Sequence, residues 1–179
     1  MASKVQIAKL ALQNLGDRYD IESLDEATTE AEQVNLVFDD VLAMLLRVHP
    51  WKFAKRYTSP GALTGTVPSG WEAMFTYPSD AVKVIRIVNP LGNDLPPIKF
   101  SIARNSSDAK VILCNEDEPE FEYTKLVTNT SEFDPSFTMA LSWRIAETIA
   151  MPITGDAGIR NMAAQTANLY VAQAQVDDS

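Results

Sequence analysis

The chain has 179 residues, of which 46% are hydrophobic and 22% are charged, and its formal net charge is −9. These values are typical of a globular protein with one full hydrophobic core, and they exclude general disorder and a fibrous architecture. The acidic excess argues against a surface that wraps DNA by neutralising its phosphates.

The chain has one cysteine and one histidine, which limits the chemistry available to it. Cys114 ends the apolar run 111–114, and we expect it to be a small buried side chain without a disulfide partner in the chain. His49 lies between Val48 and Pro50, so we expect a helix-end residue and not a catalytic base or metal ligand. A structural zinc site needs four ligands that one Cys and one His cannot supply. We therefore assign no catalytic, cofactor-binding or metal-binding residue.

Apolar residues at helical spacing predict two helices in the first part of the chain. Ser3 is positioned to cap the first helix, and Thr29 with Glu32 fits a capping box for the second. The second helix should end at His49-Pro50, because proline cannot donate to the helical ladder.

Two further helices are predicted after residue 133. Asp134 and Pro135 fit the cap and first position of a third helix, which we expect Pro152 to end. A fourth helix should follow Asp156, and we expect the tail 176–179 to fray. The apolar segment 139–153 contains charged residues, so we predict no membrane span.

The segment between the helical parts alternates apolar and polar residues in the manner of half-buried strands. A turn-rich stretch, 58–70, leads into it, and a turn is predicted at 89–92. The predicted strands are 74–78, 82–88, 98–102, 110–114 and 120–126. We predict that they form one small antiparallel sheet.

The expected fold is therefore α+β, an antiparallel-type bundle of about four helices with a small antiparallel β-sheet insertion. The helical bundle domain comprises 1–57 and 134–179, because the apolar stripes of the helices in the first and last parts of the chain must be buried against each other. The inserted β domain comprises 58–133. His49, Pro50, Trp51 and Phe53 form the predicted structural joint, with Trp51 and Phe53 buried between the two parts.

Six segments resemble, in order along the chain, the head-to-tail adaptor family of short-tailed bacteriophages, which includes tail tubular protein A and related head-completion proteins. The match extends over nearly the whole chain. The segments are 11–16 (ALQNLG), 21–26 (IESLDE), 48–56 (VHPWKFAKR), 77–84 (YPSDAVKV) after Trp71, 133–137 (FDPSF) and 153–156 (ITGD).

The resemblance implies a non-enzymatic structural protein of the virion neck, assembled in the cytoplasm of a bacterial host. Members form a ring, dodecameric in the virion, that binds the portal protein, extends the DNA channel and provides a platform for tail nozzle or tail fibre proteins. The isolated chain is expected to be a monomer. DNA would pass through the channel without sequence-specific binding, which suits the acidic composition. A different phage connector, such as a portal-proximal stopper, is a further alternative function.

The closing helix is the expected contact with the portal, because the family docks through its C-terminal segment. The residues assigned to this portal interface are Ile159, Met162, Gln165, Leu169, Tyr170 and Gln173.

A virion-associated peptidoglycan hydrolase is the alternative function, because some members of this family have been credited with such an activity. Glycoside hydrolysis needs two carboxyl groups at a suitable separation. The early helical part offers many pairs, but carboxylates on the polar face of a helix are usually solvated. The candidates are Glu22, Asp25, Glu26, Glu30, Glu32, Asp39 and Asp40.

Overall fold

The computed structural model describes residues 2–16, 18–91 and 95–179. Within these ranges the chain forms four α-helices and six β-strands, with short 3-10 turns at Lys52–Ala54 and Thr130–Glu132. In chain order they are α1 (Lys4–Gln13), α2 (Thr29–Val48), β1 (Lys55–Thr58), β2 (Ala73–Thr76), β3 (Ala81–Val88), β4 (Phe100–Arg104), β5 (Lys110–Cys114), β6 (Glu120–Lys125), α3 (Pro135–Thr154) and α4 (Ala157–Asp177).

The chain divides into two compact units. A helical unit comprises Met1–Phe53 and Val127–Ser179, and a sheet unit comprises Ala54–Leu126. The predicted boundaries were after residue 57 and before residue 134. The four residues that follow the 3-10 turn form strand β1, and the prediction assigns the first three of them, 55–57, to the helical part.

The predicted fold, a four-helix bundle with one inserted sheet, is wrong on both counts. The principal helix contacts all involve α3, which packs against α1, α2 and α4. A stripe of apolar residues shows that a helix has a partner but does not say which one, and here three helices share the same partner. The described strands form two three-stranded sheets and not one.

Capping side chains determine where the helices begin. Ser3 and Gln6 form a reciprocal capping box at α1. The cap of α2 is Thr28 and not Thr29, because the Thr28 hydroxyl accepts from the N–H of Ala31 at 3.3 Å. Asp134 caps α3 with its carboxylate, and Pro135 follows at the first position as predicted.

Pro152 does not end α3, contrary to the prediction. The helix continues to Thr154 and ends at Gly155, whose φ of 67° lies in the left-handed region that glycine adopts without strain. A proline this close to a helix end removes one backbone hydrogen bond without stopping the helix. Asp156 then caps α4 by accepting from the N–H groups of Gly158 and Ile159.

In each sheet the central strand comes last along the chain. One sheet has the order β1-β6-β3 and the other β2-β5-β4, and all four strand pairs are antiparallel. The prediction of one sheet failed because alternation identifies strands but does not specify their partners. Neighbouring strands in sequence, such as β5 and β6, belong to different sheets.

The two sheets share one hydrophobic core, to which both contribute buried side chains. Phe75 of β2 contacts Phe121 of β6 with ring centroids 5.7 Å apart, and Cys114 of β5 lies in the same cluster. The other face of the β2-β5-β4 sheet is covered by Leu63, Val67 and Trp71 from the loop before β2. This loop explains why β5 is buried on both faces after its first residue.

Candidate functional site

The predicted joint at His49 lies where α2 ends. His49 is the C-cap of α2 and has an extended backbone, with φ −142° and ψ 147°. Trp51 donates its indole N–H to the carbonyl of Leu45 at 2.9 Å, which satisfies one of the free carbonyls in the last turn of α2. The aromatic residue after the proline therefore completes the end of the helix.

Trp51 is 1% exposed, and it packs within the helical unit against Phe137 of α3, with ring centroids 4.9 Å apart. Phe53 contacts Phe133 and Phe137 but is only partly buried, and Pro50 is exposed. Among the predicted joint residues, Trp51 is thus central to the packing of α2 on α3. His49, Pro50 and Phe53 lie nearer the surface.

Asp178 ties the end of α4 to this joint. Its carboxylate lies 3.2 Å from His49 Nε2 and accepts from the backbone N–H of Lys52 at 3.0 Å. Lys52 Nζ also donates to the carbonyl of Ser179 at 2.8 Å. The prediction that the tail 176–179 frays is therefore wrong, because the chain is helical to Asp177 and its end is held by these contacts.

The residues predicted for portal binding lie on or near the outer face of α4. Met162, Gln165, Leu169, Tyr170 and Gln173 are exposed, and Ile159 is partly buried. The buried positions of the same helix are occupied mainly by alanine, at Ala163, Ala167, Val171 and Ala174. Small side chains let α4 pack closely on α3, while its larger apolar side chains face solvent.

Two features of this outer face were not evident from the sequence. Tyr170 stacks on Trp143 of α3 with ring centroids 6.1 Å apart and an angle of 12° between the planes. Val176, which had been assigned to the tail, is 70% exposed and lies on the same face. Helical spacing from Leu169 would have included it once the helix was known to continue.

A groove of about 810 Å³ lies in the helical unit, lined by α2, α3 and Val171 of α4. Its lining is mostly apolar, and it includes two carboxylates, Asp40 and Glu147. Glu147 accepts from Arg144 at 2.8 Å. Of the seven candidate carboxylates from the early helical part, all within the described residues, Asp40 alone lines this groove, and none is buried.

A buried carboxylate that the sequence did not reveal lies in the sheet unit. Glu122 of β6 is 2% exposed and is bonded to Arg86 Nε at 2.6 Å and to Lys55 Nζ at 3.2 Å. It occupies the face of β6 opposite to Phe121 and Tyr123, which point into the shared core. Alternation alone predicts a solvated glutamate there, because the two cations come from strands distant in sequence.

Three groups in the sheet unit have displaced pKa values. The hydrogen bond to Glu122 and the charge of that carboxylate raise the pKa of Arg86. Burial raises the pKa of the Cys114 thiol, and it also raises the pKa of Tyr123, with the neighbouring Asp80 adding to the effect. These shifts hold Arg86 cationic and the other two groups neutral.

No family model and no curated protein matches this chain. Among the described helices, none is both long and apolar enough to cross a bilayer. In the same part of the chain, no three side chains of His, Cys, Asp or Glu are grouped as metal ligands would be.

Proposed function

We propose that the chain is a structural virion protein, the head-to-tail adaptor of a short-tailed bacteriophage. It would form a ring below the portal, extend the DNA channel and provide the docking platform for the tail. The ordered sequence resemblance is the origin of this proposal. Its assembly would take place in the host cytoplasm, and its final location would be the neck of the virion.

The observation that carries the proposal is the exposed face of α4. Leu169 is 71% exposed, and Met162 and Tyr170 on the same helix are also exposed. An adaptor needs a surface that stays accessible on the folded subunit until a partner covers it, and exposed apolar side chains on one face of a helix suit such a contact. This face also contains the residues that the resemblance assigns to portal binding.

The joint supports the proposal by giving α4 a fixed position. Asp178 bonds to His49 and to the backbone of Lys52, so the C-terminal end of the helix is anchored to the end of α2. A docking helix anchored in this way pays less ordering entropy when it binds.

Ring formation would make weak contacts sufficient. Each subunit would contact two neighbours and the symmetric portal, so that a modest affinity per copy becomes strong for the assembled ring. The acidic composition would keep DNA from adhering to the channel wall.

Native mass spectrometry of the chain mixed with the portal protein tests this function. We expect ring complexes that contain both proteins. Leu169→Glu should reduce complex formation by at least tenfold, whereas Leu36→Glu, at an equally exposed position on α2, should not. Failure of the wild-type chain to form any complex with the portal would overturn the proposal.

A peptidoglycan hydrolase is the second candidate, because the groove brings Asp40 and Glu147 into one lining. Zymography on purified peptidoglycan tests it. This function requires clearing by the wild-type chain that is lost in Asp40→Asn or Glu147→Gln. Clearing that survives both changes would come from a contaminant.

A further inference from the structure

The outer face of α4 carries a regular apolar seam, formed by Met162, Leu169 and Val176. Each of these residues follows the previous one after two helical turns, so the three lie on one side of the helix. All three are exposed, Leu169 and Val176 most of all. The buried alanines of α4 lie on the opposite side, against α3.

The seam lies in a stretch of the helix without charge. From Asn161 to Val176 the sequence has no acidic or basic residue, and its polar groups there are amides, one threonine hydroxyl and one tyrosine hydroxyl. The whole chain carries a net charge of −9, so two copies repel each other over most approaches. The seam itself therefore places no charge at the contact between two copies. At its border Arg144 of α3 donates to Asn168 at 2.7 Å, and this arginine is paired with Glu147 at 2.8 Å.

We infer that this seam binds the same seam of a second copy, with the two helices antiparallel. A two-fold axis at Leu169 then places Leu169 against Leu169 of the other copy. The same axis places Met162 against Val176 at both ends. Such an interface is isologous, and it buries all three apolar side chains of each seam.

The charges at the helix ends select the antiparallel arrangement. Asp177 is exposed and follows the seam at its C-terminal end. Parallel helices would bring the Asp177 carboxylates of the two copies together, whereas antiparallel helices with a two-fold axis at Leu169 separate the two Asp177 positions by about 24 Å, at about 1.5 Å per residue. The helix macrodipoles also oppose each other favourably in the antiparallel pair.

The length of α4 limits the strength of this association. The helix has 21 residues and is therefore about 32 Å long. One pair of helices this long buries less than the roughly 1,200 Å² of a stable standard interface. The dimer is therefore weak and concentration-dependent, and the dilute chain is a monomer.

Cysteine cross-linking of the chain alone tests the seam and its direction. Cys114 is fully buried, so a cysteine introduced at the surface is the only accessible thiol in the folded chain. A short bismaleimide should convert Leu169→Cys to a covalent dimer at least tenfold faster than Leu36→Cys, the matched control on α2. An equal rate for both variants would overturn the proposal.

A mixture of two differently tagged variants tests the register. Met162→Cys mixed with Val176→Cys should give mainly the mixed dimer, because the antiparallel pair brings these positions together. If dimers of two Met162→Cys chains predominate instead, the helices are parallel, and this result would also overturn the proposal.

Sedimentation equilibrium provides a measurement without a cross-linker. The weight-average mass of the wild-type chain should rise with concentration, and Leu169→Glu should abolish the rise by placing two carboxylates on the two-fold axis. Far-UV circular dichroism checks that this exposed substitution leaves the fold intact. A mass that stays at the monomer value at all concentrations, or a rise that persists in Leu169→Glu, would overturn the proposal.

The pairing has one consequence that rests on the proposed function, namely that the seam is covered before the portal binds it. The two ideas fail separately, because the cross-linking and sedimentation experiments contain no portal protein. A chain that binds the portal but never dimerises would overturn only the pairing, and a chain that dimerises without binding the portal would overturn only the adaptor function.

Discussion

Trp51 combines two stabilising contacts in one side chain. Its ring packs on Phe137, and its indole N–H satisfies the carbonyl of Leu45 at the end of α2. The sequence predicts a buried tryptophan at a helix end from the proline that precedes it. It does not predict the hydrogen bond, because the backward fold of the chain after Pro50 depends on the packing against α3.

Replacement of Trp51 by alanine should lower the free energy of unfolding by about 3–5 kcal/mol, the usual cost of truncating a buried aromatic side chain. Trp51→Phe keeps most of the packing and loses the hydrogen bond, so it should cost less. Urea denaturation followed by far-UV circular dichroism measures both. Trp71→Ala is the control for loss of a partly buried tryptophan elsewhere. A Trp51→Ala variant as stable as the wild type would show that the contact with Phe137 is not needed.

Glu122 is a buried charge with two cationic partners from neighbouring strands. Glu122→Gln should lower the free energy of unfolding by about 1–3 kcal/mol. The loss is below the roughly 3–5 kcal/mol typical of a broken buried pair, because Lys55 and Arg86 stay partly exposed and can be hydrated. Guanidinium denaturation would confound this electrostatic effect by screening, so urea is the proper denaturant.

A triple variant separates the charge from the packing at this site. Replacement of Lys55 and Arg86 by methionine together with Glu122→Leu should recover most of the stability lost in Glu122→Gln, since no buried charge is left unpaired. If the triple variant is instead less stable than Glu122→Gln, the ion cluster stabilises the sheet beyond neutralising its own charges.

At the scale of secondary-structure elements, the sequence predicts that a helix or strand exists better than it predicts which other element packs or pairs with it. The starts of α1, α3 and α4 follow from Ser3, Asp134 and Asp156, because a cap acts on the first turn of its own helix. The end of α3 was missed because Gly155 provides a left-handed C-cap beyond Pro152. Strand β1 was missed because its four residues lack a clear alternation and are stabilised only by pairing with β6.

The sheet unit should lose stability at alkaline pH, since burial raises the pKa values of Cys114 and Tyr123. Above about pH 8.5 for the thiol and about pH 10 for the phenol, the unfolded chain loses protons that the folded chain keeps. The folded state then binds more protons than the unfolded state, so the free energy of unfolding falls as pH rises.

Urea denaturation at a series of pH values measures this alkaline loss. Cys114→Ala should flatten the part of the profile that begins near pH 8.5, and Tyr123→Phe should flatten the part that begins near pH 10. Tyr57→Phe, at an exposed position on β1, is the control. A wild-type profile that rises or stays level through this range would contradict the assignment.

At the scale of the whole molecule, the net charge of −9 should govern how copies approach each other. The α4 seam is uncharged, so salt screens the repulsion between two copies without weakening the contact itself. An increase in NaCl from about 50 mM to about 500 mM should therefore strengthen self-association of the dilute chain. Light scattering measures the change, with Leu169→Glu as the control. Dissociation at high salt would mean that ion pairs hold the copies together.

The location of the candidate site could be predicted in part from the sequence. The exposed face of α4 follows from the contrast between its small and large apolar residues, since alanines at one set of helical positions favour close packing. The anchoring of α4 by Asp178 could not be predicted, because it joins residues at opposite ends of the sequence. The same limit applies to Glu122 and to the division of the strands into two sheets.

The strand order also bears on how the chain folds during synthesis. In each sheet the central strand, β5 or β6, is made after both of its partners, and α3, against which α1 and α2 pack, is made later still. A ribosome that has completed only β1 to β4 therefore holds strands that have no central strand to pair with. Nascent chains stalled there should stay protease-sensitive and need chaperones. Protection of the sheet unit should begin once β6 has left the exit tunnel, and protection of the helical unit only after α3 has left it.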